Sequence, residues 1–581
     1  MSTSMMPAPR MRFWNNDGTP AAGCLLYTYI AGTSTPKATY TDSAGTTASA
    51  NPIVLDSKGE AVVYWSGSYK VDLKTAAGVQ ITGYPVDNFI SYGNDSAENI
   101  TYDTYRTSDP DITVGAALRR LDPLFYARTS PHANFTWFTE KFTITSCPGH
   151  GRATVQEDLT DVFDTLYSAS LSGVVKYVAP AASGGSDANT GDGWNSPYLT
   201  LNKAIRTTLS GTVYVYPGSY DLCGFRYTDT SGNLPRKIIA PFSGVTFTTP
   251  GDTLSALTWT SVGGGTPNVW YCTLSAGSAT MTPVRVLYSS TTDKYGESMP
   301  LQKASSIATV DTLSVGPCNG AWWYDSATSR LYVRLRSENV ETTTKTYLSA
   351  IYSPAADNQF LLYSTTTYWE NITFHGYANI LKLAGQAVPE GWFKSCTFKY
   401  CDSNALNVYG GHCYTQDCRA YRGTADHANY NVASSTTPQG VEINFTSQFA
   451  GDPDTFGKAS TQPNNPVSTG QNKNGSSNHD AYVVRVNGSY IDSYGPNIAD
   501  TDGSYTWNLG VTSGYSFALD ASLDYGWIVQ GSTARAWLDG CNSGKGNKAI
   551  NSNTSAIVYI FNTAGTQTTS SSGTFVAYTP G

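Results

Sequence analysis

Three short segments of this chain repeat one pattern: Asn371-Ile372-Thr373-Phe374, Ser395-Cys396-Thr397-Phe398 and Asp417-Cys418-Arg419-Ala420. They start 24 and then 22 residues apart, and each carries apolar side chains at alternate positions. A spacing of roughly 20 to 50 residues with one short strand per repeat marks a solenoid. Alternation sends Ile372, Cys396 and Cys418 to one side of their strands, and Phe374, Phe398 and Ala420 likewise. Stacked coil on coil, these columns line the interior of a parallel β-helix, and the loops between strands are free to carry chemistry.

Composition agrees with an all-β chain. Only 14% of the 581 residues are charged, whereas Gly numbers 54, Tyr 40 and Trp 13. The length calls for several structural units. A formal charge of −8 and the lack of a basic stripe exclude a nucleic-acid partner, but leave room for a polysaccharide. Met1 to Arg12 lacks the apolar core of a secretory signal, and no run of 18 apolar residues offers a membrane span. The pairs Cys396/Cys401 and Cys413/Cys418 have a spacing that can suit zinc. Because Cys396 and Cys418 fall on inward columns, buried thiols are expected instead, with no metal and no cofactor.

Taken in order, residues 1–90 read as a small β domain, with strands at 25–30, 53–55, 61–65 and 69–73. Residues 91–172 form a connector with two helical signals. One is Val114, Ala117, Leu118 and Leu121. The other is Val155, Leu159, Val162, Leu166 and Ala169, behind a capping box at Thr154-Val155-Gln156-Glu157. This second helix serves either as a neck between protomers or as a helix packed on its own domain. The β-helix is expected over 173–545, interrupted by a β-rich insertion at about 242–350. Within the insertion, 322–335 reads as a hairpin and the tryptophans as core. Residues 546–581 are expected to form a terminal cap or a trimer-closing element.

Two stretches resemble known families. The run Tyr27-Thr28-Tyr29-Ile30-Ala31-Gly32, followed by Ala50-Asn51-Pro52-Ile53-Val54-Leu55-Asp56-Ser57-Lys58-Gly59-Glu60 and Tyr69-Lys70-Val71, resembles the N-terminal virion-attachment domain of bacteriophage tailspikes and tail fibres. Further on, Val174 to Val178, a polar loop, a short helix near Ser196 to Ile205 and the strand Thr212 to Tyr216 are similar to the opening coil of pectate-lyase-like right-handed parallel β-helices. Together they imply a homotrimeric spike on the phage tail, attached through its N-terminus to tail or baseplate proteins. Such a spike binds a bacterial capsule, exopolysaccharide or O-antigen, and many of its kind depolymerise it.

Hydrolysis of a glycosidic bond needs two carboxyl groups about 5 to 9.5 Å apart. Neighbouring coils, stacked about 4.8 Å apart, can supply them. Glu442 is the only Glu beyond residue 390 and adjoins a predicted strand. It is therefore paired here with Asp480, and Asp426 stands as the substitute. His427, His479, Arg485, Tyr430 and Asp502 are the expected substrate-binding groups. A lyase on the same fold would instead use a His or Tyr as base and Arg485 to neutralise a uronate. A receptor-binding spike without activity is the third reading. On the hydrolase reading, Glu442→Gln or Asp480→Asn should abolish cleavage without loss of stability.

Overall fold

The computed structural model describes most residues between 4 and 579; the longest stretches outside the description are 91–100, 103–111, 114–125, 452–472 and 517–524. The chain divides into two compact units, Met1–Leu124 and Phe125–Gly581. In the first unit, the antiparallel strands Ile53–Val54, Leu25–Ile30, Ser68–Lys74 and Val86–Ile90 form one sheet. Leu26, Trp65, Tyr69 and Leu73 fill its core. The helical spacing expected at Val114 to Leu121 lies outside the described residues.

The second unit is a three-sheet parallel β-helix. Its strands fall into parallel sheets of 12, nine and ten strands, called A, B and C here. The chain visits A, B and C in turn. One coil runs through His412–Gln416 in A, Arg419–Gly423 in B and Ala428–Asn431 in C, then returns to A at Gln439–Ile443.

The repeat seen in the sequence is the corner between A and B. Asn371, Ser395, Asp417, Asn444 and Asn487 occupy it in successive coils with φ between 53° and 61°. Short polar residues tolerate this left-handed conformation better than others. Their amide groups continue the inter-coil ladder, as in Ser395 N–H to the Gln416 carbonyl at 2.9 Å. The residue after each corner then points inward: Ile372, Cys396, Cys418 and Phe445 are all buried in one core. Phe374 and Phe398 stack there with centroids 5.2 Å apart. The helix Leu201–Thr207, capped by the Thr200 side chain, lays Leu201, Ala204 and Ile205 over the open end of this core. Cys396, Cys401, Cys413 and Cys418 are buried thiols.

Among the described residues, elements cover the outer faces of sheets A and B. On sheet A, Phe135, Phe138, Phe142, Leu159 and Phe163 pack against Tyr368, Trp392, Tyr414 and Trp507. Ion pairs Lys237–Asp164 and Lys394–Asp158, both at 2.7 Å, border the contact. The helix Leu159–Tyr167 thus belongs to its own β-helix, the second of the two alternatives. Its N-cap is Asp158, which accepts from Thr160 N–H at 2.8 Å. The expected capping box does not form, because Ala153–Val155 is a strand and Glu157 accepts from Thr143 N–H.

Sheet B is covered by the insertion, whose strands run from Thr260–Ser261 to Leu348–Pro354. Trp259 and Trp322 are core residues of the insertion, and Gly320–Asp325 with Arg330–Leu335 forms the expected hairpin. A second hairpin, with its turn at Asp293 to Glu297, reaches sheet B through Glu297–Lys399 at 2.7 Å and Asp293–Arg422 at 3.1 Å. The described residues of the C-terminal stretch 546–581 continue the coils. Ala549–Asn553, Ile557–Phe561, Gln567–Ser570 and Thr574–Ala577 extend sheets C and A.

Ser395 has φ of 53°. Ser395→Gly should leave thermal stability near wild type, whereas Ser395→Val, forcing a β-branched residue left-handed, should lower stability by roughly 1–2 kcal/mol in denaturant titration.

Candidate functional site

Aligning the coils on the A–B corner separates the inside of the solenoid from its outside. The residue two before each corner faces inward, so Phe393, Thr415, Glu442, Arg485, Asn508 and Leu538 form one internal column of sheet A. Glu442 and Arg485 have 0% exposure. Glu442 accepts from Ser476 Oγ at 2.9 Å and from the Tyr490 hydroxyl, and lies 3.8 Å from Arg485 Nε. The guanidinium is matched more closely by Asp500: Arg485 Nη2 donates to Asp500 Oδ1 at 2.9 Å and Nη1 to Asn508 Oδ1 at 2.9 Å. Thr506 and Trp527 Nε1 complete the Asp500 shell at 2.9 and 3.0 Å. Burial pushes the Glu442 carboxyl above its usual range, against the pull of Arg485 and its hydrogen bonds.

This placement overturns much of the expected site. Glu442 is sealed in the core while Asp480 is exposed on the outside, so the two cannot flank one glycosidic bond. Arg485 is likewise internal and cannot neutralise a substrate uronate, which removes the main support for the lyase reading. Tyr430 is an interior residue whose ring fills the space left by Gly440, where a Cβ would approach it to 2.5 Å. His427 has 0% exposure and accepts from Gly423 N–H at 3.0 Å, so its other nitrogen carries the proton shared with Ser447 Oγ at 2.7 Å. Burial drops its pKa to about 3, and the ring is a neutral structural group. Asp426 is a buried coil-to-coil lock, accepting from Asn474 N–H at 2.7 Å, and desolvation raises its pKa.

The remaining three residues, His479, Asp480 and Asp502, do come together. They lie at the corner between sheets C and A, next to the Tyr505 ring, on which His132 packs with ring centroids 4.9 Å apart. Ser476–His479 pairs with Ile498–Thr501 in register, His479 beside Thr501, so Asp480 and Asp502 occupy equivalent corner positions on neighbouring coils. Both take left-handed conformations, with φ of 53° and 58°. Asp502 Oδ2 meets His479 Nδ1 at 3.0 Å, and Asp480 Oδ1 accepts from Gly503 N–H at 2.7 Å. Gly503 permits this approach, since a Cβ there would stand 2.5 Å from Asp480 Oδ1. Beside the carboxylates, Gln439, Tyr482, Tyr505 and Arg535 form the first outward column of sheet A and are all half-buried. The Tyr482 and Tyr505 rings lie 5.8 Å apart, edge to face. On the sheet C side, Tyr409, Asn431, His479, Thr501 and Gln530 line up with part or more of their surface exposed.

Among the described residues, no group of three or more His, Cys, Asp or Glu side chains has metal-site geometry. The corner therefore presents two exposed carboxylates, an imidazole, two aromatic rings and a row of hydroxyl and amide groups. Carboxyl chemistry on a sugar chain suits that set.

No family model and no curated protein matches the sequence. Among solved structures, five chains match. One of them, "The complex structure of XylC with xylose", is 11% identical, with 68% of this chain and 70% of that chain covered at a TM-score of 0.33.

Removing Arg485 should strand Asp500 and Glu442 in the core, and Arg485→Ala should cost roughly 3–5 kcal/mol in denaturant titration. Glu442 behaves differently. A carboxyl whose folded pKa is raised stabilises the fold fully below its unfolded pKa, and that contribution is lost as pH rises through the folded value. Glu442→Gln should therefore fold normally, and its melting temperature relative to wild type should climb between pH 4 and pH 8.

Proposed function

We propose that this chain is a homotrimeric phage tailspike whose β-helix binds a bacterial surface polysaccharide and hydrolyses it at the corner between sheets C and A. The observation that carries the reading is the exposed Asp480 and Asp502 pair on neighbouring coils, with His479 held between Thr501 and Asp502. Similar residues at the A–B corner, such as Asp417 and Asn444, serve the turn alone, with Asn444 Nδ2 donating to Asp417 Oδ1 at 2.8 Å. Asp480 and Asp502 differ in flanking an imidazole and the Tyr482–Tyr505 pair.

Coil spacing of about 4.8 Å sets the two carboxyl groups near the short end of the range glycosidases use. One carboxyl acts as general acid, passing a proton to the glycosidic oxygen as the C–O bond breaks, while the other bonds to the anomeric carbon. Water then displaces that second carboxylate, giving a proton to the first, so that a water oxygen ends in the new reducing end. Tyr482, backed edge to face by a Tyr505 ring that itself rests on His132 and Trp537, offers a surface for a sugar ring, and the amide and hydroxyl row on sheet C offers partners for sugar hydroxyls. The N-terminal motifs, carried on a unit with its own core, support attachment to the phage tail.

Size-exclusion profiles of host capsule or O-antigen incubated with the purified chain test this. Wild type should shorten the polymer, with solvent oxygen entering the new reducing ends. Asp480→Asn and Asp502→Asn should each slow cleavage by roughly 10²–10⁴-fold with unchanged melting temperature. A double variant of full activity would refute the assignment. Binding with unchanged polymer length would point to the non-enzymatic spike instead.

A further inference from the structure

The cations of this solenoid are mostly matched. Arg128 pairs with Asp539, Arg419 with Glu297, Arg422 with Asp293, Arg485 with Asp500, and Lys394 with Asp158. Arg535 is not. Its Nη1 donates to the carbonyls of Ala534 and Ser532 at 2.7 and 3.3 Å, and no carboxylate of the described residues lies within 4.0 Å of it. The two carbonyl bonds steady one edge of the guanidinium, and Nε and Nη2 have no partner among the described residues.

Its position is as informative as its lack of a partner. Arg535 follows Tyr505 in the outward column of sheet A, one coil beyond the Asp502 corner. The turn before it sits directly on that corner. Gly531 has φ of 123°, and a Cβ there would come within 2.4 Å of the Asp502 carbonyl oxygen. Thr533 Oγ1 lies 3.4 Å from the same oxygen. Along this edge successive coils thus present Asp480 with Tyr482, Asp502 with Tyr505, and then Arg535, a half-buried, steadied cation with open donors. In a chain of net charge −8, a cation left without a carboxylate partner among the described residues, one coil beyond the Asp502 corner, is a place for an anionic ligand group.

We propose that the sugar bound next to the Asp480/Asp502 pair is anionic, a hexuronate or a similarly carboxylated residue, and that Arg535 recognises its carboxylate. This rests on the functional reading above, and it names the substrate class that reading leaves open. Arg535 acts in binding: it selects the polymer and orients it, while the bond is broken by the carboxyl pair.

The test uses the full chain and uronate-containing capsular polysaccharides, each paired with its carbodiimide- and borohydride-reduced neutral form. Wild type should favour the acidic form, and NaCl should weaken that preference. Arg535→Gln should cut the preference by roughly 10- to 100-fold, expressed in KM rather than kcat, and Arg535→Lys should restore part of it. Binding by Asp480→Asn protein, read by affinity electrophoresis, separates recognition from cleavage. Arg535-dependent capture of the acidic form supports the inference even where no cleavage occurs. Equal loss on acidic and reduced polymers, an unchanged preference, or no binding to either form overturns it.

Discussion

Every feature of the β-helix depends on closing each coil in register with the one below. The constraint acts hardest at the A–B corner, where one residue must turn left-handed while its amide still reaches the carbonyl of the next coil. Asn, Ser and Asp meet both demands in five successive corners from Asn371 to Asn487, and Gly510 and Gly540 meet them further along. Once the corner is placed, alternation decides the rest. The residue two before it and the residue after it face inward, and the position between turns the chain. Inside and outside are set by counting from that corner, which is why Glu442 and Asp480 end on opposite sides of one wall.

The interior is apolar along most of its length, yet its middle coils hold Glu442, Arg485, Asp500 and their hydroxyl and amide partners. Such a network is favourable only when every member is satisfied. Here Ser476 links Arg485 to Glu442, while Asp500 gathers donors from Arg485, Asn478, Thr506 and Trp527, with Asn478 Oδ1 left without a partner among the described residues. A slip of one coil would set Arg485 beside Leu538 and leave Asp500 without its cation. Apolar columns on either side would accept that slip readily; the charged layer does not. That layer opposes a slip in register, and the proposed site lies outside it.

The parallel coil and the buried thiols were legible from the repeat, because a two-residue alternation and a fixed period are local properties of the chain, whereas the capping helix followed from the resemblance of residues 174–216 to a known opening coil and the insertion from the break in coil rhythm. The site was legible only in part. Proximity to a strand drew attention to Glu442, but the side it faces depends on its distance from Asn444, and counting back from that corner would have placed it beneath Phe393 and Thr415. Arg485 went the same way. His479, Asp480 and Asp502 were recoverable because the strands Ser476–His479 and Ile498–Thr501 end at matching positions in sheet C. Arg535 could not be singled out from sequence, since its significance is the absence of a carboxylate beside it. The covering of sheet A was hidden too, because Phe135, Phe138 and Phe163 meet partners more than 200 residues away.

The account stands or falls on where the sugar chain lies. The direct measurement is a crystal structure of the Asp480→Asn protein soaked with oligosaccharides released by wild type. Sugar density should cross the coils at the C–A corner, with a ring against Tyr482 and a glycosidic oxygen within hydrogen-bonding reach of Asp502. Density seated along the insertion or on another face, with the corner empty, would contradict it.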